Sequence, residues 1–345
     1  MPESNQRVTI YDIAREVNVS ATTVYRAISG KGRISSHTQK RILESAEKMG
    51  YKINMAASSM SRKTIRIGIV LDLYFPGFHN EIILGMRDSL NQLYDFNVEG
   101  VFAPLDQIYN KDAQINKIKS LAYEVDAIIF APKNAEDVYI ELIDECKTKG
   151  VPIFTCVNDI PDSQRAGTVY ANTNIVGDMG AQLLTTIGGG ARNAILVSNK
   201  DSQNQCDLIK GFHDRLALTG NMPLGIYETQ NDERIGYYIT DMLIKDHPDL
   251  SGIFVGISQS MGVCDCLIEK GLAGKVKLVC VDIFDRMAEM LENDVVQMTI
   301  YQQTKNIGEE VIMLAYEYLT NNEIEVVHSL SKPEIIIKSN YSEYL

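Results

Sequence analysis

Apolar positions recur along this chain with two different periods. From Val8 to Gly30 the sequence reads VTIYDIAREVNVSATTVYRAISG, and Ile10, Ile13, Ala14 and Val17 fall at i, i+3, i+4 and i+7. That spacing makes one stripe of a short amphipathic helix. Thr9 stands at its N-cap position, with Asp12 in the first turn. Asn18 and Val19 break the period and Ser20 is placed to cap a second helix, Ala21–Ser29, with Val24 and Ile28 on its inner face. Its outer face pairs Ala21 with Tyr25 and Thr22 with Arg26 at i,i+4. Two short helices joined by so brief a turn predict a helix-turn-helix unit. Ser35 then opens a third helix, to about Met49, with Ile42, Ala46 and Met49 facing the core. Lys40, Arg41 and Lys48 lie elsewhere on it, as phosphate neighbours or as solvated charges.

From Ile65 the period changes. The runs IRIGIVL, FNVEGVF, AIIF and PIFTCV read as strands, with helices near 79–94, 111–122 and 136–149. A second series holds TVYA, AILVS, LGIYET, GIFVG and VKLVCV, with helices near 174–187, 203–219, 231–246 and 259–271. Alternating strands and helices predict parallel sheets covered on both faces, here as two doubly wound lobes. In such folds ligands sit beyond the strand C-termini, which places a site in the cleft between the lobes. Joining the two patterns is Tyr51–Lys63, YKINMAASSMSRK, where Asn54 can cap a helix over Met55–Ser61. Isolated helices need ~12–15 residues to be stable in water, so this one is marginal by itself, a short helix or a disordered tether.

Charge alters this picture more than overall composition does. The chain of 345 residues carries a formal charge of −12, which by itself argues against nucleic acid. Yet the first 64 residues hold 11 Lys/Arg and 5 Asp/Glu, or +6, of the 33 and 45 in the chain, leaving −18 on the rest. A basic end on an acidic body confines DNA affinity to that end. No run of 18 apolar residues is present, and MPESNQRVTIYD lacks the apolar core of a signal peptide. The expected compartment is the cytoplasm, where the six cysteines (Cys146, Cys156, Cys206, Cys264, Cys266 and Cys280) are reduced thiols.

Catalytic and metal chemistry find little support. There is no CxxC, HxxxH or HExxH, and Cys264-Asp-Cys266 lies in a helical stretch where i,i+2 side chains diverge. Gly188-Gly189-Gly190 precedes a strand and lacks the P-loop pattern, and no GxSxG occurs. No catalytic residue, metal or cofactor is expected.

Residues 8–63 closely resemble the DNA-binding headpiece of the LacI/GalR family of bacterial transcription regulators. The resemblance is carried by VTIYDIA (Val8–Ala14), VS-x-x-TV-x-R (Val19–Arg26), SxxT (Ser35–Thr38) and GY-x-x-N (Gly50–Asn54), in order and at the family's spacing. The body is similar, more loosely, to periplasmic sugar-binding proteins and the effector domains related to them. There the matching stretches include Phe78 through Gly85, Gly150 through Arg165, Gly211–Phe212, Val281–Asp282 and Thr299–Gln303.

The fold class this implies is a small all-α helix-turn-helix headpiece, joined by a hinge helix to an α/β periplasmic-binding-protein-like domain of two doubly wound lobes. The headpiece would span 1–53, the hinge 54–64, and the effector-binding and dimerisation domain 65–345. The N-lobe would take about 65–168 and 298–327 and the C-lobe about 169–297 and 328–345, with chain crossings near 168, 298 and 327. A homodimer would read a near-palindromic operator in double-stranded DNA, since a two-fold protein matches a two-fold site. Thr22 and Arg26 would contact bases in the major groove, Ala21 and Tyr25 shape and methyl groups. Thr9, Tyr11, Ser20, Thr23, Ser35, Thr38, Tyr51 and Asn54 would hold phosphates. In the hinge, Ala57 would allow close approach of two copies and Met60 would wedge between minor-groove base pairs. Ile53 stands where the family usually has Pro.

For the effector, a sugar or sugar derivative in the cleft, the candidates are Asp72, Phe78, His79, Lys133, Asn158, Asp159, Ser258, Asp282 and Gln302. Asp282 and Gln302 match family ligand positions best. Two departures stand out: Leu208 occupies the place of the family's sugar-binding Arg, and Ile257-Ser258 that of a frequent Asn-Asp. Losing both removes two charge-assisted partners, which leaves open a larger, less polar or phosphorylated effector, or a protein co-regulator. The expected function is a regulator of transcription, read as a repressor. An activator, a transporter's solute-binding protein and a sugar-modifying enzyme are the rivals.

Overall fold

The computed structural model describes residues 8, 10–29, 34–49, 63–71, 76–105, 110–133, 136–284, 286–321 and 327–344. Two compact units part between Lys63 and Thr64.

The first unit holds α1 (Ile10–Val17), α2 (Ala21–Ser29) and α3 (Ser36–Lys48). Their apolar stripes meet in one core of Ile13, Ala14, Val17, Val24, Ala27, Ile42 and Ala46, with Ala21 and Met49 against its edge. Two S-x-x-T boxes start helices. Ser20 Oγ accepts the Thr23 N–H at 3.1 Å, and Ser35 Oγ accepts that of Thr38 at 3.1 Å. Each satisfies one of the N–H groups a helix start leaves open. Two long side chains of α3 finish the other helices, as Arg41 donates to the Val17 carbonyl at the end of α1 and Gln39 to that of Ala27 in α2. Arg41 is therefore a helix-capping group rather than simply a solvated charge.

The second unit is built on two six-stranded sheets. The first contains β1 (Ile65–Val70), β2 (Val98–Phe102), β3 (Ala127–Phe130), β4 (Ile153–Cys156), β5 (Gly167–Ala171) and β11 (Val327–Ser331), in the order β2-β1-β3-β4-β5-β11 and parallel throughout. The second contains β6 (Asn193–Val197), β7 (Ile226–Glu228), β8 (Gly252–Val255), β9 (Lys277–Val281), β10 (Met298–Tyr301) and β12 (Glu334–Ile336), ordered β7-β6-β8-β9-β10-β12. The two orders are the same pattern used twice, and in both the doubly wound reversal falls beside the first strand of the sheet. β12 runs antiparallel to β10, which the reading of purely parallel sheets did not foresee.

Helices cover both faces. In the N-lobe α5 (Lys111–Leu121) and α6 (Asp137–Thr148) pack over Ile128 and Phe130, while α4 (Pro76–Gln92) and α12 (Thr304–Thr320) cross on the other side. In the C-lobe α9 (Glu233–Asp246), α10 (Met261–Glu269) and α11 (Met287–Glu292) take one face, α7 (Thr173–Thr186) and α8 (Gln203–Ala217) the other. Both crossing pairs touch backbone to backbone through glycine. A Cβ on Gly85 or Gly308 would lie 1.9 or 2.0 Å from the carbonyl oxygen of Lys305 or Ile82, and one on Gly177 or Gly211 equally close to that of Leu208 or Asn174.

The run TVYA, placed by its sequence in the second series, is β5 of the first sheet, where Thr155 of β4 pairs with Thr168. The chain changes lobe after Ala171, after Tyr301 and after Ser331, each a few residues beyond the expected crossing, and β11 lies in the first sheet rather than the C-lobe. The reason is that each crossing comes only after a complete strand, β5, β10 or β11, has paired in the sheet the chain is leaving. α4 begins at Pro76, earlier than the expected 79, with Pro at the first helical position where its missing N–H costs nothing. Among the described residues no helix is long and apolar enough to cross a membrane.

Candidate functional site

The ends of β1, β3 and β4 in one lobe face those of β6, β7 and β8 in the other across a cavity of about 630 Å³. Phe78, His79, Lys133, Asn158, Ser258 and Gln302 all line it. Phe78 sits at the start of α4, its ring edge-on to His79 at 5.6 Å and to Phe284, from beyond β9, at 6.4 Å. Asn158 donates to the Pro132 carbonyl at 2.8 Å, tying the loop after β4 to the loop after β3. Asp72 lies outside the described residues.

Two expected contacts are committed elsewhere. Asp159 accepts from Arg165 at 2.6 Å and from the Ile160 N–H at 2.8 Å, so its charge is matched inside the N-lobe. It borders a smaller compartment of about 240 Å³ that shares Lys133, Val157, Asn158, Thr173 and Asn204 with the main cavity. Asp282 is fully buried behind the cavity wall. Its carboxylate accepts from Ser258 Oγ at 2.6 Å, from the Gln302 side chain at 2.9 Å and from the Gln302 N–H at 3.2 Å. Burial pushes its pKa up to about 6, against the lowering effect of these donors. Asp282 thus differs from the direct ligand contact expected of it: it fixes two residues that do face the cavity.

The C-lobe wall is rich in amides that the sequence reading passed over: Asn199, Asn204, Gln205, Gln230, Asn231 and Gln259. They follow the strand runs AILVS, LGIYET and GIFVG within a few residues, which was the available signal. Gln205 is buried and accepts from the Ser198 N–H at 3.1 Å. Among the described residues no cluster of His, Cys, Asp and Glu could hold a metal ion.

In the first unit, Ser20, Thr22, Arg26 and Ser35 are exposed, and Thr23 and Thr38 half-buried. Ala21 is half-buried against the three-helix core, so only part of it is offered outward. Tyr11 and Tyr25 belong to α1 and α2. Thr9, Tyr51, Asn54, Ala57 and Met60, and with them the expected hinge helix, lie outside the described residues.

Comparison with known proteins joins the two units into one architecture. Residues 9–54 match the sequence model of the bacterial regulatory proteins of the lacI family, and residues 69–323 match that of the periplasmic binding protein domain. The chain belongs to the LacI family of bacterial regulatory proteins. Catabolite control protein A of Priestia megaterium is 26% identical over 327 residues, covering 92% of this chain and 94% of that protein. The HTH-type transcriptional regulator RegA of Clostridium saccharobutylicum is 24% identical, covering 95% and 97%. Among solved structures, a glucose-galactose binding protein from Geobacillus stearothermophilus aligns with a TM-score of 0.72 at 19% identity, over 81% of this chain and 99% of that one. A solute-binding protein from Actinobacillus succinogenes with bound D-allose gives 0.74 at 18%, over 81% and 100%. These last two are likenesses of fold. As a LacI-family member the protein is a DNA-binding regulator of transcription and not an enzyme.

Leu208, at the place of the family's Arg, is fully buried in the C-lobe core. Gly256 leaves room for it: a Cβ there would meet Leu208 Cδ2 at 2.7 Å. An apolar side chain packed under a glycine thus stands where the resemblance implies an Arg. Ser258, at the place of the family's Asp, turns its hydroxyl to Asp282.

Proposed function

We propose that this LacI-family regulator works in the cytoplasm as a homodimeric repressor on a near-palindromic operator, controlled by a carbohydrate-related effector in the interlobe cleft. The observation that carries the DNA part is the division of α2. Val24 and Ala27 are buried in the three-helix core, while Thr22 and Arg26 are exposed one turn apart. A helix so placed presents its N-terminal half to the major groove, where a guanidinium pairs with guanine. Ala21 and Tyr25 add methyl and shape contacts. Tyr11, Ser20, Thr23, Ser35 and Thr38 hold phosphates. In each capping pair the two hydroxyl oxygens lie 2.8 and 2.7 Å apart. One proton is used within the pair and the other is left to donate to a phosphate oxygen. Thr9, Tyr51, Asn54, Ala57 and Met60 are assigned to DNA from the sequence pattern alone.

For the effector, the support is a wall of amides and hydroxyls around one aromatic ring, Phe78. That chemistry suits a ligand presenting many neutral hydroxyls, and the similar solved structures include proteins with bound sugars. Phe78, His79, Lys133, Asn158, Ser258 and Gln302 would contact it, Asp159 and Asp282 acting through their neighbours; Asp72 is assigned from its place in the sequence. The ligand would act by binding one degree of lobe closure better than another.

The test is genome-wide recovery of DNA fragments bound by the full-length protein, followed by a transcription assay on the recovered promoters. Fragments sharing a two-fold motif, with transcription lowered by the protein, are expected. Fragments without a shared two-fold motif would remove the operator reading, and raised transcription would make the protein an activator.

A further inference from the structure

The cleft has a second compartment whose composition differs from that of the first. Tyr170, at the end of β5, and Pro161 supply apolar wall; Asn158, Asn204, Gln203 and Asp207 supply polar groups around them. Asp207 is oriented by Gln203, whose side-chain N–H donates to its Oδ1 at 3.0 Å. Burial raises the pKa of the Tyr170 phenol, and the negative charges of Asp159 and Asp207 add to that. An aromatic face beside planar acceptors and amide donors can receive a sugar ring: the face takes the C–H side and the planar groups bridge adjacent hydroxyls.

Size points the same way. Pockets that hold a whole small molecule measure about 300–1,000 Å³. The main cavity falls in that range and the second compartment, at about 240 Å³, falls below it. Because the two share five lining residues, the smaller one is suited to the end of a ligand that begins in the larger. Charge narrows the class. Among the described residues Lys133 is the one lysine on the two walls, against Asp201 and Asp207, with Asp159 matched by Arg165 and Glu228 paired with Lys200. A phosphate or carboxylate on the ligand would meet a net negative lining.

From this we infer that the effector is a neutral saccharide of at least two rings, with one ring in the main cavity and a second held by Tyr170 and Asp207. The inference rests on the carbohydrate reading of the cleft. Its test is calorimetric titration of the full-length protein with maltose, cellobiose, lactose and sucrose, beside glucose, galactose, fructose and glucose 6-phosphate. At least one disaccharide is expected to bind tenfold or more tightly than either of its component monosaccharides. In Tyr170→Leu, which removes the aromatic face while keeping apolar bulk, and Asp207→Asn, which preserves shape, that disaccharide-to-monosaccharide ratio is expected to fall severalfold. Monosaccharides that bind with no gain from a second ring would overturn the two-compartment assignment and leave the carbohydrate reading standing. Tighter binding of glucose 6-phosphate than of glucose would overturn neutrality. No binding by any of these saccharides would overturn the carbohydrate reading and the inference with it.

Discussion

Val157 and Asp282 occupy equivalent places in the two lobes. Each follows the fourth strand of its lobe, each has left-handed backbone (φ 69° and 64°), and each donates its N–H to the next strand, to Val169 at 3.0 Å and to Ile300 at 2.8 Å. The side chains differ completely: one is a β-branched hydrocarbon lining both compartments, the other a buried carboxylate holding Ser258 and Gln302. At this repeated position the architecture therefore places an acid in one lobe only.

A β-branched residue is poorly suited to that backbone. Asn158 N–H donates back to the Cys156 carbonyl at 2.7 Å, closing a tight turn around Val157. Asn tolerates positive φ far better than Val. The expected outcome for Val157→Asn is stabilisation by about 1 kcal/mol, seen as a melting temperature a few degrees higher. A lower melting temperature would show that the turn holds no strain.

Asp282 makes stability depend on pH. Its carboxyl holds a proton up to about pH 6 in the folded protein, against a usual value of 3.8. In the unfolded chain the proton leaves near that usual value. The protonated group favours the folded state fully at low pH, and this contribution is lost as pH rises through about 6, a change of roughly 3 kcal/mol. Asp282→Asn has no such proton. Its melting temperature, measured relative to the parent, should rise between about pH 4 and 6 and then level off. A difference that stays flat over that window would refute the raised value.

Arg26 is exposed on the face of α2 away from the core. In a salt-controlled binding assay, Arg26→Ala is expected to weaken operator binding by ~1–3 kcal/mol and to relax preference at one base pair. Equal losses on operator and random DNA would reassign Arg26 to a phosphate.

The glycine crossings leave no room for a methyl group. In Gly308→Ala the new Cβ would meet the Ile82 carbonyl oxygen at 2.0 Å, an atom of helix backbone with little freedom to move. The expected cost is ~3 kcal/mol or more, visible as early unfolding of the second unit in thermal scanning or limited proteolysis. Tolerance of alanine there would mean that α4 and α12 can separate.

The three headpiece helices and most strands were legible because burial imposes a period, and Ile13, Val17 and Val24 or the run AIIF show it without ambiguity. Membership of a sheet was less legible. TVYA is equally suited to either lobe, since both sheets are parallel and buried at that point, and only the pairing of Thr155 with Thr168 decides it. The antiparallel course of β12 depends on a chain reversal after Ser331 that no local pattern announces. In the cleft, Phe78, His79, Lys133, Asn158 and Gln302 could be picked out as residues beyond strand ends. That Asp282 would turn inward depended on where Ser258 and Gln302 stand in space, 24 and 20 residues away. The C-lobe amides were missed because Asn and Gln in loops are commonplace, and their convergence appears only once β6, β7 and β8 lie side by side.

Gln302 belongs at once to the cavity wall and to the short stretch by which the chain leaves β10 for α12, that is, from one lobe to the other. The next residue, Gln303, has φ 56°, and Asp282 grips Gln302 from the C-lobe side. On the proposed effector reading, a ligand that hydrogen-bonds the Gln302 amide would act directly on the crossover between the lobes, with no relay of side chains in between. Recognition and leverage would then fall on the same amino acid, and a substitution at 302 would change affinity and lobe angle together.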